Sequence, residues 1–257
     1  MQSHKDRIVD QFTRQAQPFA RAEPLNAEAA LQLLIDATSA GPEDDVLDVA
    51  CGPGIVVCAF ARVVRQATGI DLTPAMLQRA QELAAARGLT NVKWHNGDVQ
   101  ALPFPAATFS IVVSRLAFHH FEDPLAVLAE MRRVCRPGGV VAVADLVAPV
   151  DPRRAAAFHE MERLRDPSHI RALPQTELQG LFPAIGLPPP KVHGYRLELE
   201  FESWLARSFP DPRDVAEIRR RFEDSLCDDG LGLNTRREGG SLLFNHNIAV
   251  CVSRCPE

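Results

Sequence analysis

The stretch VLDVACGPG, residues 46–54, joins a run of apolar residues to a tight glycine-rich turn. Residues 46–50 have the composition of a short buried strand, and the Cys-Gly-Pro-Gly tetrapeptide that follows forms the turn. Gly52 and Gly54 carry no Cβ, so a ligand can approach the backbone closely here. Ligands of open α/β sheets lie beyond the carboxyl ends of the strands. The stretch therefore predicts a ligand site at the end of a first strand, beside Asp48.

Strands and helices alternate through the hundred residues that follow this turn. The helices are expected at residues 55–64, 73–88 and from 123 up to Pro137, and apolar strands lie between them. Alternation of buried strands with helices is typical of a parallel sheet that is covered on both faces. The strands are expected at residues 46–50, 67–71, 91–98, 109–115, 140–146, 192–202 and 242–252.

Bulk composition excludes several classes of protein. The chain has 257 residues and a formal charge of −5, and mildly acidic chains are poor candidates for general nucleic-acid binding. No run of about 18 apolar residues exists, so no membrane span is expected. The six cysteines show no C-x-x-C spacing, so we expect free thiols and no metal site. With no signal peptide at the polar N-terminus, we expect a cytoplasmic protein.

Two classes of ligand compete for the glycine-rich turn, a dinucleotide and S-adenosylmethionine (SAM). The dinucleotide fingerprint G-x-G-x-x-G begins with Gly52 and Gly54, but Val57 stands where its third glycine is expected. A carboxylate at Asp48, inside the strand, is a poor neighbour for a pyrophosphate. It suits a positively charged ligand end, such as an amino group near a sulfonium. The pattern therefore favours SAM.

Two further acids follow the next two strands. Asp71 ends the second strand, where a carboxylate can accept two hydrogen bonds from a ribose diol. Asp98 follows the third strand and can accept from the exocyclic amine of adenine. Structural roles are the alternatives: Asp48 as a cap for nearby backbone amides, Asp71 as a helix cap and Asp98 as a turn residue. Together the three acids fit ammonium, ribose and adenine in turn.

The segment 46–145 resembles the class I SAM-dependent methyltransferases of the UbiE-like small-molecule type. The resemblance rests on VLDVACGPG, GIDLTPAML, GDVQALPF and FHHFEDPLAVLAEMRRVCRPGG. It implies an α/β fold with a Rossmann-like, mostly parallel seven-stranded sheet, helices on both faces, and N-terminal helices and an α-helical insertion that cap the active site. The implied organisation is a single domain over residues 1–257. Its parts are an N-terminal helical cap at 1–40, a SAM-binding core at 41–148, and a substrate-side cap with the C-terminal strands at 149–257.

The resemblance also implies which residues contact the cofactor. The family usually has glycine where Ala50 stands, which is a mild departure. The N-terminal segment VDQFTRQAQPFARAE is similar to one that folds over SAM in related enzymes, which implies contacts of Phe19 with the cofactor and of Phe12 with the acceptor. The other implied cofactor contacts are Asp48, Ala50, Gly52 and Gly54 at the methionine part, Asp71 and Leu72 at the ribose, Asp98, Val99 and Met76 at the adenine, and Ser114.

Catalytic candidates cluster at the tip of the fourth strand, in VVSRLAFHHFEDP. A residue that titrates near neutral pH is suited to take a proton from the methyl acceptor, so His119 and His120 are candidate bases. Arg115 is expected to bind the acceptor. The segment ERLRDPSHIR, which the resemblance places over the mouth of the site, offers Arg165 for the acceptor and His169 as another base. A loop anchor for His120 and an ion-paired helix end for Arg165 are the structural alternatives.

The sequence thus predicts a SAM-dependent methyltransferase that releases S-adenosylhomocysteine (SAH). We expect a monomer or homodimer acting on nitrogen or oxygen of a small secondary-metabolite or heterocyclic acceptor. A C-methyltransferase of a quinone precursor and a non-catalytic SAM-binding protein are the alternatives. A nucleic-acid methyltransferase is disfavoured, because SRLAFHH stands where amino-group chemistry on bases needs an Asn/Asp-Pro-Pro-aromatic motif.

Overall fold

The computed structural model describes residues 3–257, with residues 21 and 23 described by their backbone alone. Eight strands form one sheet. They are β1 (Asp45–Val49), β2 (Gln66–Asp71), β3 (Val92–Asn96), β4 (Phe109–Arg115), β5 (Cys135–Leu146), β6 (Lys191–Glu200), β7 (Arg236–Glu238) and β8 (Ser241–Arg254).

Helices cover both faces of this sheet, and short 3-10 turns occur at Glu23–Asn26 and Phe118–His120. The α-helices are α1 (His4–Arg21), α2 (Glu28–Thr38), α3 (Ile55–Phe60), α4 (Pro74–Ala86), α5 (Pro124–Val134), α6 (Pro152–Arg165), α7 (Gln175–Ala184), α8 (Phe201–Ala206) and α9 (Val215–Asp228). Among the helices of residues 3–257, none is both long and apolar enough to cross a membrane.

The strand order is β3-β2-β1-β4-β5-β8-β6, and β7 pairs with β8 alone. Strands β1 to β5 pair in parallel, whereas β8 runs antiparallel to both β5 and β6. The predicted Rossmann-like, mostly parallel sheet is confirmed. The expected number of seven strands is one too low, because β7 is a short charged segment without an apolar alternation. It forms a hairpin with β8 through Gly239 and Gly240, both of which have positive φ.

Several element boundaries also differ from the prediction, such as the end of α3 at Phe60 where residue 64 was expected, and two of them have a clear local cause. Helix α5 ends at Val134, and the residues before Pro137 already belong to β5. Proline disfavours helical backbone at the residue before it, which explains the early end. Strand β6 stops at Glu200, where the carboxylate accepts from the backbone N–H groups of Glu202 and Ser203 and so starts α8.

The core lies on both sides of the sheet, because successive strand residues point to opposite faces. Val46 and Val113 belong to the cluster packed against α2, α3, α8 and α9, whereas Leu47 and Val112 belong to the cluster packed against α5 and α7. Asp48 lies two residues after Val46 and so shares the first of these faces. This alternation brings Asp48 to the carboxyl end of β1, on the side that the N-terminal helices cover.

Helix α1 closes the carboxyl end of the sheet. A capping box starts it: the Ser3 hydroxyl accepts from the backbone N–H of Asp6, and the Asp6 carboxylate accepts from the backbone N–H of Ser3. The helix packs on α4, and the side chain of Gln11 donates to the backbone oxygen of Ser208, after α8, at 2.6 Å. These contacts place α1 over the ends of β1 and β4.

Candidate active site

A cavity lies at the carboxyl ends of β1, β2 and β4, under α1, and the empty space in it and its open mouth together is about 1110 Å³. Most of the residues that the sequence assigns to a ligand line it. They are Phe12, Phe19, Asp48, Ala50, Gly52, Asp71, Leu72, Met76, Asp98, Val99, Arg115 and His120.

Strained backbone surrounds this cavity. Ala50, after β1, has φ +59°, and Leu116, after β4, has φ +56°. A left-handed conformation costs a residue with a Cβ roughly 1–2 kcal/mol, and such strain concentrates at functional sites. Gly52 has φ +51°, and a Cβ there would meet no atom within 4 Å, so the turn is open on this side.

Gly54 has a packing role. A Cβ at this position would come within 2.6 Å of the Trp94 ring and 2.7 Å of the Ala80 side chain. Gly54 does not line the cavity, so its expected contact with the ligand is not supported. Glycine is needed here because the start of α3 packs closely on α4 and β3.

Asp48 is buried without a partner. Its side chain is 1% exposed, and neither carboxylate oxygen accepts a hydrogen bond from residues 3–257. Burial, and then the nearby charge of Asp71, raise its pKa well above the ordinary value, while the charge of Arg115 acts in the opposite direction. No backbone amide reaches the carboxylate, so the cap interpretation of Asp48 is not supported. A buried, unpaired acid is a costly feature that a cationic ligand would relieve.

Asp71 joins the turn to α4. One carboxylate oxygen accepts from the backbone N–H of Gly52 at 2.8 Å, and the other accepts from that of Thr73 at 2.8 Å. Burial raises the pKa of Asp71, and these amide hydrogen bonds oppose the rise. A carboxylate has about four lone-pair sites, so acceptor capacity remains on the cavity side. The helix-cap and ligand interpretations of Asp71 are therefore compatible.

Asp98 is engaged by α1. Its carboxylate accepts from Lys5 Nζ and from the backbone N–H of Gln100. Burial alone would raise the pKa of Asp98, but the hydrogen bonds from Lys5 and Gln100 outweigh it and hold the pKa below its usual value. The Lys5–Asp98 pair is partly exposed, and such pairs contribute about 0–1 kcal/mol. It is a weak tie that holds α1 over the far end of the cavity.

His120 is the histidine of the β4–α5 turn that lines the cavity. Its Nδ1 lies 3.1 Å from both the backbone oxygen and the hydroxyl of Ser168, and because that hydroxyl donates to Asp166, both oxygens can only accept from the ring. Nδ1 therefore carries the proton, and Nε2 has a free lone pair. Burial, and then the charge of His119, lower the pKa of His120 to about 4, so the ring is neutral at pH 7. Phe12 packs edge-on against it at 5.0 Å.

His119 does not line the cavity. Its Nδ1 lies 2.8 Å from one carboxylate oxygen of Asp145, and its backbone N–H donates to the other at 2.8 Å. His119 therefore supports the turn that carries His120. Its expected role as a base in the cavity is not supported. The sequence analysis missed Asp145, although it is an acid at the end of a buried strand, as Asp71 is.

Arg165 and Ser114 are occupied elsewhere. Arg165 donates to the Glu162 carboxylate and to the Ser208 hydroxyl, both at 2.8 Å, and its guanidinium stacks on Trp204. Ser114 donates to the backbone oxygen of Val49 and so ties β4 to β1. Neither residue lines the cavity, so their expected ligand contacts are not supported.

His169 is also outside the cavity. It is 2% exposed, and its Nε2 lies 3.2 Å from Nδ1 of His159. Burial, followed by the charges of neighbouring histidines, lowers its pKa. The segment 162–171 packs behind the β4–α5 turn, where the Ile170 N–H donates to the backbone oxygen of His119 at 2.9 Å. No residue of this segment lines the cavity, so its expected contacts with the acceptor are not supported.

Comparison with known proteins gives the family. Residues 47–143 match the family described as "Methyltransferase domain". YcgJ of Bacillus subtilis (strain 168), an uncharacterised methyltransferase, is 34% identical over 197 residues, which cover 76% of this chain and 78% of YcgJ. The chain belongs to the class I SAM-dependent methyltransferases.

The chain is also similar to a second curated protein and to the solved structure of YcgJ. YafE of Escherichia coli (strain K12), an uncharacterised protein, is 36% identical over 165 residues, or 64% of this chain and 79% of YafE. The crystal structure of YcgJ superposes with a TM-score of 0.80 at 27% identity over 89% of this chain and 99% of that one.

The cavity of this methyltransferase fits SAM. The fit rests on the unpartnered carboxylate of Asp48, which lies at the strand end beside an open glycine turn. A ligand with a primary ammonium would give both carboxylate oxygens the donor that residues 3–257 do not provide. Arg115, Asp71 and Asp98 line the same cavity, so groups for the other ends of the nucleoside are at hand.

Proposed function

We propose that this methyltransferase transfers the methyl group of SAM to a nitrogen or oxygen atom of a small aromatic or heterocyclic acceptor bound under α1. Asp48 would hold the ammonium of the methionine part, Asp71 the ribose diol and Asp98 the adenine amine. When bound, SAM supplies a methyl group on a positively charged sulfur, which is a good leaving group. The protein must position the acceptor, exclude water and remove a proton.

The acceptor chamber is the part of the cavity on the α1 side. Ile8, Phe12 and Phe19 of α1 line it, together with Leu25 and Phe121. Phe12 and Phe19 pack edge to face with ring centroids 6.1 Å apart. Aromatic walls favour flat apolar acceptors through stacked or edge-on contacts. This lining supports an aromatic or heterocyclic acceptor.

His120 is the residue we assign to the proton. Transfer of a methyl group to an N–H or O–H acceptor leaves one surplus proton on the acceptor atom. The free Nε2 lone pair of His120 can take it, while Ser168 holds the ring through Nδ1. A weakly basic ring is sufficient, because the acceptor hydrogen becomes strongly acidic as the new bond to carbon forms. His119, fixed by Asp145, positions the turn and does not touch the acceptor.

One observation carries the proposal: an unpartnered buried acid and a neutral histidine line the same cavity in a chain of this family. The acid supports cofactor binding, and the histidine supports chemistry on an acceptor that carries a proton. A C-methyltransferase acting on tailed quinone precursors would need a wide apolar groove. The aromatic chamber described here supports a compact acceptor better.

The test measures SAH formed from SAM with a panel of phenols and nitrogen heterocycles, by mass spectrometry. With the acceptor that reacts, His120→Gln should lower kcat by about 10²–10⁴-fold, the usual contribution of a general base. SAH affinity should stay within twofold of wild type. His159→Gln, at a half-buried histidine outside the cavity, is the matched control and should keep wild-type kcat.

Two outcomes would contradict the proposal. Wild-type kcat in His120→Gln would remove the histidine from the chemistry. Tight binding of SAM with no consumption by any acceptor or by a metabolite extract would favour a non-catalytic SAM-binding protein.

A further inference from the structure

An acid and a base in the cavity carry polar atoms that have no partner within residues 3–257. Both carboxylate oxygens of Asp48 are buried without a hydrogen bond, and so is Nη2 of Arg115. The other guanidinium nitrogens of Arg115 are engaged: Nε donates to the Tyr195 hydroxyl at 3.2 Å, and Nη1 donates to the Leu25 backbone oxygen at 3.0 Å. The Nη2 group of Arg115 is thus a buried donor whose position is fixed by the other two nitrogens.

The sheet puts these two charges side by side. Asp48 of β1 is in register with Val113 of β4, and Arg115 lies two residues further toward the carboxyl end on the same face. Both line the cavity, and the charge of Arg115 acts on Asp48. Nevertheless, no ion pair within 4.0 Å joins them in the part of the chain that the structure describes. The Asp48 carboxylate and Nη2 of Arg115 therefore line one cavity without bonding to each other.

A ligand end that carries an ammonium and a carboxylate on one carbon would satisfy both. We propose that Arg115 binds the α-carboxylate of the methionine part of SAM while Asp48 binds its ammonium, so that the site selects a zwitterion. Tyr195, the single tyrosine of the chain, is a positioning residue that orients the guanidinium. This inference rests on the proposed function. It replaces the sequence-based expectation that Arg115 contacts the acceptor.

Pre-organisation supports this assignment. Arginine carries a rigid planar fork that suits carboxylates, and fixing it in advance lowers the entropy lost on binding. The two ties of Arg115 come from Leu25, before α2, and from Tyr195 on β6, 90 and 80 residues away in sequence. The N-terminal and C-terminal parts of the chain therefore converge on one guanidinium that lines the cavity.

Arg115 could instead bind a carboxylate of the acceptor. Two ligands that differ only in the methionine carboxylate distinguish these alternatives. Calorimetric titrations would use SAH and its decarboxylated analogue, which lacks only the carboxylate. Wild type should bind SAH more tightly than the analogue. In Arg115→Met, SAH affinity should fall about 10- to 150-fold, the range for a charged hydrogen bond, and the analogue should bind as to wild type.

Three further variants complete the experiment. Arg196→Met, at the exposed neighbour of Tyr195 on β6, removes an equal charge and should change neither titration. Tyr195→Phe should reduce the preference for SAH over the analogue about threefold to tenfold, because a neutral hydrogen bond is weaker. If Arg115→Met does not fold, Arg115→Lys keeps the charge without the fork and should lose most of the preference.

The outcomes distinguish the inference from the function on which it rests. If wild type does not bind SAH, the proposed function fails and the inference with it. If wild type binds SAH and the Arg115 variants keep the full preference over the analogue, the inference is overturned and Arg115 returns to the acceptor. Equal weakening of both ligands by Arg115→Met would also overturn it, since the effect would not involve the carboxylate.

Discussion

Asp48→Asn should stabilise the free protein while it weakens SAH binding. Asp48 lies at the end of β1 with both oxygens buried and unpartnered, and burial raises its pKa well above 3.8. The folded state therefore holds a proton on this group at pH values where the unfolded state has released it. The free energy of unfolding then falls as the pH rises above 3.8 toward the folded-state pKa. A neutral amide removes this loss.

The magnitude follows from the ionisation that the variant removes: a buried, unpartnered carboxylate costs about 1–3 kcal/mol more than an equally unpartnered neutral amide. The unfolding entropy is roughly 2.1 cal/mol/K per residue, which for 257 residues gives about 0.5 kcal/mol/K. Asp48→Asn should therefore raise Tm by about 2–6 °C near pH 7. The gain should vanish near pH 4, because below that value the acid is protonated in both states.

The assay is thermal unfolding of wild type and variant between pH 4 and pH 8 without ligand. Glu43→Gln is a matched control, since Glu43 is exposed, and this change should stay within about 0.5 kcal/mol of wild type. Destabilisation of Asp48→Asn by more than about 1 kcal/mol at pH 7 would refute the reasoning. Such a loss of stability would mean that the Asp48 carboxylate bonds to a structural partner in the free protein.

Three other changes test the site and its support. Asp71→Ala should weaken SAH binding by about 1.5–3 kcal/mol in calorimetry, through loss of a charged acceptor, and unchanged affinity would contradict the ribose assignment. Arg165→Met should lower the free energy of unfolding by about 3–5 kcal/mol in urea titrations, because it leaves the buried Glu162 with only His246, 3.5 Å away and neutral at pH 7, and SAH affinity should be unchanged in the folded fraction. A loss of SAH affinity there would return Arg165 to the cavity. Lys5→Met should not weaken SAH binding, because it frees Asp98, and a tenfold loss would show that the pair is needed.

The fold was largely predictable because its signals are local. The apolar strands, the glycine-rich turn after β1 and the helix start at Pro74 are readable over a few residues. Strand β7 was not predicted, because Arg236–Glu238 has no apolar residue that would mark it as a strand. The pair Gly239 and Gly240 that follows it is nevertheless a usual hairpin signal. Local sequence patterns thus predict the parallel strands better than the antiparallel edge of the sheet.

The site was less predictable where it depends on distant contacts. Arg165 was expected to bind the acceptor and His169 to act as a base, but α6 packs so that Ser208 and Trp204 contact the guanidinium of Arg165. Those partners follow about forty residues later in the sequence. Adjacent His119 and His120 differ only in the direction of their rings, and Asp145 at the end of β5 determines that difference. These contacts join residues that are far apart in sequence, so no local sequence pattern predicts them.

The central claim is that one cavity at the ends of β1, β2 and β4 holds SAM through its acids. A co-crystal structure with SAH tests this most directly. The account predicts the amino group within hydrogen-bond distance of Asp48, the ribose diol at Asp71 and the adenine amine at Asp98. An empty cavity at saturating SAH, or SAH bound with its amino group away from Asp48, would contradict it.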